Sequence, residues 1–222
     1  MQRGQVSEVQ TIYLDRNRIN HRYVYRLLKR IGDFFFSFSG LVLLLPFFLV
    51  VALLITLEDG GTIFYKQKRL GRGGKIFYMY KFRSMCMDAE EKQAELKKYN
   101  EIEGAMFKMK HDPRVTKVGH FIRKTSIDEL PQLFNVLLGH MSLVGPRPPL
   151  PNEVAQYSEY DKQRLYVIPG CTGLWQVNGR SEVGFSEMVM LDLKYIQKSS
   201  ILFDLAIILR TIKIMVRPNG AY

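Results

Sequence analysis

The sequence predicts an α+β fold, mostly helical, built on an N-terminal membrane helix and a small β-hairpin. Three observations carry that prediction. Phe34 to Leu57 is a run of 24 residues with no charged side chain, enough at about 1.5 Å per residue to cross the hydrocarbon of a bilayer. Two β-rich, aromatic runs flank the glycine-rich turn LGRGG, residues 70–74, a hairpin signature. The rest of the chain divides into helix-forming stretches separated by loops rich in proline and glycine.

The membrane helix is defined by charge as much as by hydropathy. The chain carries 32 basic and 21 acidic residues, a net +11. Residues 1–30 hold seven Arg and Lys against Glu8 and Asp15, a net +5. Residues 66–83 hold seven more and no acid, a net +7, which leaves −1 for everything else. Two basic collars therefore flank the apolar run. Positive residues are retained on the cytoplasmic side, and a straight span would have to export one collar. A re-entrant helix keeps both inside, and Pro46, in mid-segment, is where such a helix would break. The freed backbone groups would find partners in Ser37, Ser39 or packed protein. The late start and the lack of a small-residue cleavage site argue against a signal peptide. This reading divides the chain into a basic segment 1–30, a re-entrant membrane helix 31–58 broken at Pro46, and a domain 59–222. The two cysteines, Cys86 and Cys171, fit neither a disulfide framework nor a zinc site and read as free thiols.

Beyond the hairpin, residues 88–100 combine strong helix formers with an acidic start, a surface helix. A short helix is expected from Val115 or Thr116 to Lys124, and another ending near Leu138 with Gly139 as its C′ residue. The four prolines of SLVGPRPPLP, 142–151, predict extended chain without helix or central strand. VIPGCTGLWQVNGRS, 167–181, reads as a turn-rich loop around Trp175, the only tryptophan. The tail from about Ser186 to Val216 is helical. In its second half Arg210, Lys213 and Arg217 fall within an arc of roughly 60° at 100° per residue. That suits an interfacial amphipathic helix with cations toward lipid headgroups, or equally a core helix.

Asp128 and Glu129 stand side by side in RKTSIDELPQL, 123–133. Ser126 to Glu129 matches a capping box; alternatively Asp128 is the N-cap and Pro131 lies in the first turn. Either way the doublet sits at a helix start, where a positive dipole end suits phosphate. Two hard oxygen ligands beside phosphate suit Mg²⁺, and an aspartate so placed can attack phosphorus. Arg123 precedes the doublet, Arg147 is fixed between prolines in GPRP, and Lys81 and Arg83 end the hairpin in KFRSM; all are candidate phosphate binders.

KFRSM, DPRVTKVG, RKTSIDELPQLFNVLLGHMSLVGPRP, PGCTGLWQVNGRS and LDLKYIQKSSILFDLAIILRTI follow one another from residue 81 to residue 212. In series, below a membrane segment, they resemble the bacterial sugar transferases, that is, the monotopic phosphoglycosyl transferases. The resemblance implies a cytosolic catalytic domain with interfacial amphipathic helices at the bacterial cell membrane. It implies transfer of a hexose-1-phosphate from a UDP-sugar to undecaprenyl phosphate with release of UMP, the priming step of capsule or exopolysaccharide synthesis. Asp128 would be the nucleophile of a covalent phosphosugar intermediate, and Glu129 would assist Mg²⁺. Arg123 and Arg147 would hold phosphate, with Lys81, Arg83, Gln176 and Arg180 as further substrate contacts. The family's re-entrant helix, broken at a proline, matches Pro46. Leu45 stands where some members have serine, and His140 departs from a common GDM. Membrane phospholipids are implied partners, homo-oligomerisation is left open, and no nucleic-acid-binding motif is present. Glucose or galactose is the sugar suggested by analogy. Competing readings are a membrane phosphohydrolase that uses Asp128 with water as acceptor, and a non-enzymatic membrane-anchored basic module.

Overall fold

The computed structural model describes residues 11–96, 99, 109, 111–178 and 184–216. A short helix α1 (Arg16–Asn20), capped by the Asp15 carboxylate, leads into α2 (Tyr23–Asp59), 37 residues long. α2 takes in the end of the first collar as well as the apolar run. It passes through Pro46 as one helix, so the break expected there is absent. A proline removes one N–H donor, and packing on both sides of it, by Leu41 and Leu44 before and Phe48 and Val51 after, keeps the helical path.

The hairpin forms as expected. β1 (Phe64–Leu70) and β2 (Ile76–Phe82) pair antiparallel, Leu70 opposite Ile76 and Phe64 opposite Phe82. Gly73 and Gly74 take positive φ, 67° and 78°, a region that glycine enters without a Cβ penalty. α3 (Ala89–Leu96) lies within the predicted surface helix. α4 (Lys117–Lys124) starts at Thr116, whose hydroxyl accepts from the Gly119 N–H at 2.9 Å. α5 (Gln132–Leu137) is followed by Gly139 at φ 83°, the predicted C′ residue.

Two stretches read as irregular carry structure instead. β3 (Ser142–Val144) pairs in parallel with β4 (Gly170–Thr172). The four prolines of SLVGPRPPLP all lie from residue 146 onward, so its first residues keep their amide donors and are free to form a ladder. α6 (Pro151–Val154) and α7 (Glu159–Lys162) connect these strands, and α8 (Leu174–Asn178) follows β4 directly. The tail forms two helices, α9 (Phe185–Lys198) and α10 (Ile201–Val216), divided at Ser199 and Ser200.

Three apolar clusters hold these pieces. Phe48, Val51 and Ile55 of α2 pack on Phe82 and Ile122; Phe77 and Met79 pack on Val136 and Met141; Val144, Leu174, Val189, Leu193 and Ile207 form the third. α2 also supplies polar ties. Arg30 donates to the Val136 and Leu137 carbonyls at 2.6 and 2.8 Å, closing the C-terminal end of α5. The Glu58 carboxylate accepts from the Lys117 and Val118 amides at 2.7 and 3.1 Å, capping α4. The corner between α4 and α5, which carries the acidic doublet, is thus clamped at both ends by one helix.

α10 packs on the core with one face and leaves an apolar strip bare. Asp204 and Ile207 are buried against the core, whereas Leu202, Leu205, Leu209 and Ile212 are exposed along an arc of roughly 80°. Asp204 accepts from Tyr25, Lys29 and Tyr195 at 2.7–2.9 Å, which ties the start of α2 to α10.

Candidate active site

Asp128 and Glu129 lie on a 3₁₀ turn, Ile127–Glu129, that precedes α5. Neither predicted cap forms. Ser126 adopts φ 57° and its side chain caps nothing, and the N-cap of α5 is Pro131. The chain reverses at Ser126, where its N–H bonds back to the Arg123 carbonyl. A left-handed serine costs of order 1–2 kcal/mol, and it sits two residues before the doublet. α5 has only six residues, so the expected helix-dipole phosphate seat gives way to side-chain cations.

The first of these cations is Lys81. Its Nζ lies 2.7 Å from Glu129 Oε1, bridging the hairpin to the corner. Asn135 fixes that approach: it is fully buried, accepts from the Tyr80 N–H at 2.9 Å and donates to the Tyr78 carbonyl at 2.7 Å. One amide on α5 thereby completes the outer edge of β2 and sets the register that brings Lys81 to Glu129.

Asp128 is 9% exposed and has no ion-pair partner within 4 Å among the described residues. Burial, reinforced by Glu129 and opposed by Lys81 and Arg123, pushes its carboxyl up to about 6. Glu129 is held below the usual carboxylate range, chiefly by Lys81, with Arg147 and Arg69 adding to the effect. The neighbours are thus differentiated: Asp128 is desolvated and unpaired, and Glu129 is firmly ionised.

Arg147 approaches from the proline loop. It reaches Glu153 at 3.4 Å and lies over the Trp175 ring at 5.9 Å. Its own carbonyl accepts from Arg164 at 3.3 Å, and Arg164 pairs with Asp192 at 2.6 Å where both side chains are almost completely buried. Arg123, in the last turn of α4, is exposed and acts on Asp128 through space.

Two expected contacts are placed differently. Arg83 is buried and ion-paired with Asp59 at the end of α2, which ties that helix to the hairpin. Its position beside Gly61, whose added Cβ would collide with the guanidinium, makes it a structural tether. Gln176 lies on α8 with Oε1 buried and unpartnered. Arg180 lies outside the described residues.

Arg69 was not expected here. Its buried guanidinium donates to the Pro148 carbonyl at 2.9 Å and to Gln67, and burial together with Arg147 lowers it to about 10. In sequence it is one of seven cations in a collar, and only the fold separates it from the others. The described residues contain no group of three or more His, Cys, Asp or Glu placed to hold a metal. Mg²⁺ is commonly held by one or two carboxylates plus substrate phosphates, and the unpaired Asp128 beside ionised Glu129 fits that donor set. The arrangement is a buried Asp128 carboxylate under the influence of Lys81 and Arg123, beside a Glu129 that Lys81, Arg147 and Arg69 hold ionised, a cluster of cations suited to binding a polyphosphate.

Comparison with known proteins shows which family the chain is similar to. The profile of the family described as "Bacterial sugar transferase" matches residues 24–218. The chain is 47% identical over 204 residues to the galactosyl transferase CpsE of Streptococcus agalactiae, covering 90% of this chain and 45% of that protein. It is 45% identical over 201 residues to the undecaprenyl-phosphate galactose phosphotransferase of Salmonella typhimurium, covering 89% of this chain and 42% of that protein. It is 40% identical over 198 residues to the exopolysaccharide production protein ExoY of Sinorhizobium fredii, covering 87% and 88%. The chain spans less than half the length of the first two and most of the third. A match of this extent, over nearly all of its residues, shows that the chain belongs to the bacterial sugar transferase family.

Proposed function

We propose that this protein transfers a hexose-1-phosphate from a UDP-sugar to undecaprenyl phosphate at the cytoplasmic face of the bacterial membrane, priming capsule or exopolysaccharide synthesis. The observation that carries the proposal is Asp128: buried, without an ion-pair partner among the described residues, and under the influence of Lys81 on β2 and Arg123 on α4. Family membership and the names of its relatives point the same way.

In this reading Lys81, Arg69 and Arg147 seat the diphosphate, and Arg123 covers its open side. An Asp128 carboxylate oxygen attacks the phosphorus that bears the sugar. The bond from that phosphorus to the bridging oxygen breaks, UMP leaves with the electron pair, and an aspartyl phosphosugar remains. An oxygen of undecaprenyl phosphate then attacks the same phosphorus, and the Asp128 carboxylate is released. Burial keeps water from Asp128, which favours the lipid as acceptor. Asp128 and Glu129 would hold Mg²⁺, whose contribution when bound is to neutralise phosphate charge.

The membrane arrangement belongs to the same proposal. Arg22 at the start of α2 donates to Ser199, and Asp59 at its end pairs with Arg83. Between them Phe48, Val51 and Ile55 are covered by the domain, while Phe35, Leu43, Leu49, Leu53 and Leu57 are bare. A helix that crossed the bilayer would separate its two ends, whereas both ends of α2 hold the same domain. This supports a helix that keeps both of its ends on the cytoplasmic side without crossing the bilayer, with the bare strip of α10 resting on the same leaflet.

The test is to supply UDP-glucose or UDP-galactose, Mg²⁺ and undecaprenyl phosphate to the purified chain and follow UMP. Lipid-dependent release supports the proposal. No UMP with any UDP-sugar opposes it, and turnover without the lipid would indicate hydrolysis.

A further inference from the structure

The two basic collars, remote in sequence, meet in the folded chain. Residues 11–20 lie as a strap across residues 160–168: the Leu14 N–H donates to Gln163 Oε1 at 2.7 Å, and Tyr13 packs edge-on to Tyr160 at 5.6 Å. The strap carries Arg16 over the Tyr166 ring at 5.4 Å and Asn20 to the hairpin turn, where Arg72 Nη2 donates to Asn20 Oδ1 at 2.7 Å. Arg26 Nη1 donates to the Asn20 carbonyl at 3.1 Å. Asn20 thus organises one arginine from each collar. Between strap and turn lies a cavity of about 370 Å³, lined by Arg16, Asn20, Arg72, Lys75 and Tyr166 among others and by no carboxylate. Gly73 leaves its rim open, since a Cβ there would meet nothing within 4 Å.

Three cations lining one concavity repel each other, and among the described residues no acid lining it offsets them. Burial, then Arg26 and Arg16, lower the Arg72 guanidinium, the direction expected where positive charge is uncompensated. Arginine forks match phosphate oxygens in geometry, and the cavity has room for a phosphate with part of what it esterifies. It is also apart from the acidic doublet. The turn lies at the end of β2 opposite Lys81, about 20 Å away at ~3.3 Å per residue. The bare apolar surface of α2 starts at Tyr23 and Val24, three residues after Asn20, so the cavity lies next to the apolar strip that the proposed function sets in the membrane.

We propose that Arg16, Arg72 and Lys75, held by Asn20 and Tyr166, form a second anion site that binds a phosphate group, separate from the transfer site and independent of its chemistry. The phosphate is either that of an anionic phospholipid headgroup or a free one. The experiment uses the full chain in neutral detergent with Mg²⁺ chelated, and follows thermal unfolding by the fluorescence of Trp175. The probes are short-chain phosphatidylglycerol, short-chain phosphatidylcholine and inorganic phosphate. A bound ligand at a hundredfold excess over its dissociation constant raises the midpoint by about 5–10 °C. We expect a saturating rise with phosphatidylglycerol that is lost in Arg72→Gln/Lys75→Gln and kept in Lys194→Gln/Lys198→Gln, which removes two exposed cations elsewhere. A rise with phosphatidylglycerol alone identifies the headgroup as ligand; an equal rise with inorganic phosphate, lost in the same variant, identifies the free anion. No rise in the wild type, an equal rise with phosphatidylcholine, an undiminished rise in Arg72→Gln/Lys75→Gln, or loss in the Lys194/Lys198 variant overturns the proposal.

Discussion

Replacing Asp128 with asparagine is predicted to stabilise the protein while abolishing its activity. Burial raises the Asp128 carboxyl from 3.8 to about 6, so the folded chain holds this proton more tightly than the unfolded chain. Below pH 3.8 the group is protonated in both states and costs nothing. Between that pH and about 6 the unfolded chain loses the proton first, and stability falls as pH rises. Above about pH 6 both states are ionised and the cost is constant, about 3 kcal/mol at ~1.4 kcal/mol per pH unit. Asp128→Asn removes this cost. At pH 7.5, with Mg²⁺ chelated, its unfolding midpoint should lie about 6–12 °C above wild type for a chain of this size, and the difference should shrink steadily as pH falls below about 6 and vanish well below pH 3.8. The assay is the same fluorescence melt across a pH series. A variant no more stable than wild type at pH 7.5, or an advantage that does not change with pH, would refute the argument that burial loads this carboxylate.

Other consequences concern what surrounds Asp128. Lys81→Met should move the acid limb of the pH–rate profile for UMP release upward from about pH 6, because Lys81 opposes the burial that raises Asp128; the loss at pH 6 should therefore exceed the loss at pH 8. Asn135→Ala should cost about 2–3 kcal/mol in denaturant unfolding, since the Tyr80 N–H and the Tyr78 carbonyl lose their partner. Arg164→Ala should cost about 3–5 kcal/mol by leaving Asp192 buried and unpaired, and it frees the backbone of Arg147, so KM for the UDP-sugar should rise as well.

What could be read in the sequence was whatever local chemistry decides. The turn at Gly73 and Gly74, the start of α4 next to Thr116 and the end of α5 at Gly139 depend on residues within a few positions and lie where the sequence predicts them. The capping box at Ser126–Glu129 failed because Glu129 is claimed by Lys81 and because α4 must reverse at Ser126 to reach Pro131; neither demand is local. The β3–β4 ladder joins segments separated by two helices and a 3₁₀ turn, so the prolines of the first and the turn residues of the second do not reveal it. Arg83 and Arg69 belong to one collar and could not be told apart by composition. The fold pairs Arg83 with Asp59 and turns Arg69 toward Arg147. In isolation the doublet reads as a cap, and only its place in the motif series marks it as a candidate site.

The central claim is that Asp128 carries the sugar phosphate, and the direct measurement is the mass of the peptide containing it. The full chain is mixed with UDP-galactose or UDP-glucose and Mg²⁺ without undecaprenyl phosphate, quenched in acid, digested and analysed. The account predicts a hexose phosphate adduct on Asp128, formed together with one equivalent of UMP, absent in Asp128→Asn and discharged by undecaprenyl phosphate. UMP release with no adduct, or with an adduct on another residue, would contradict it.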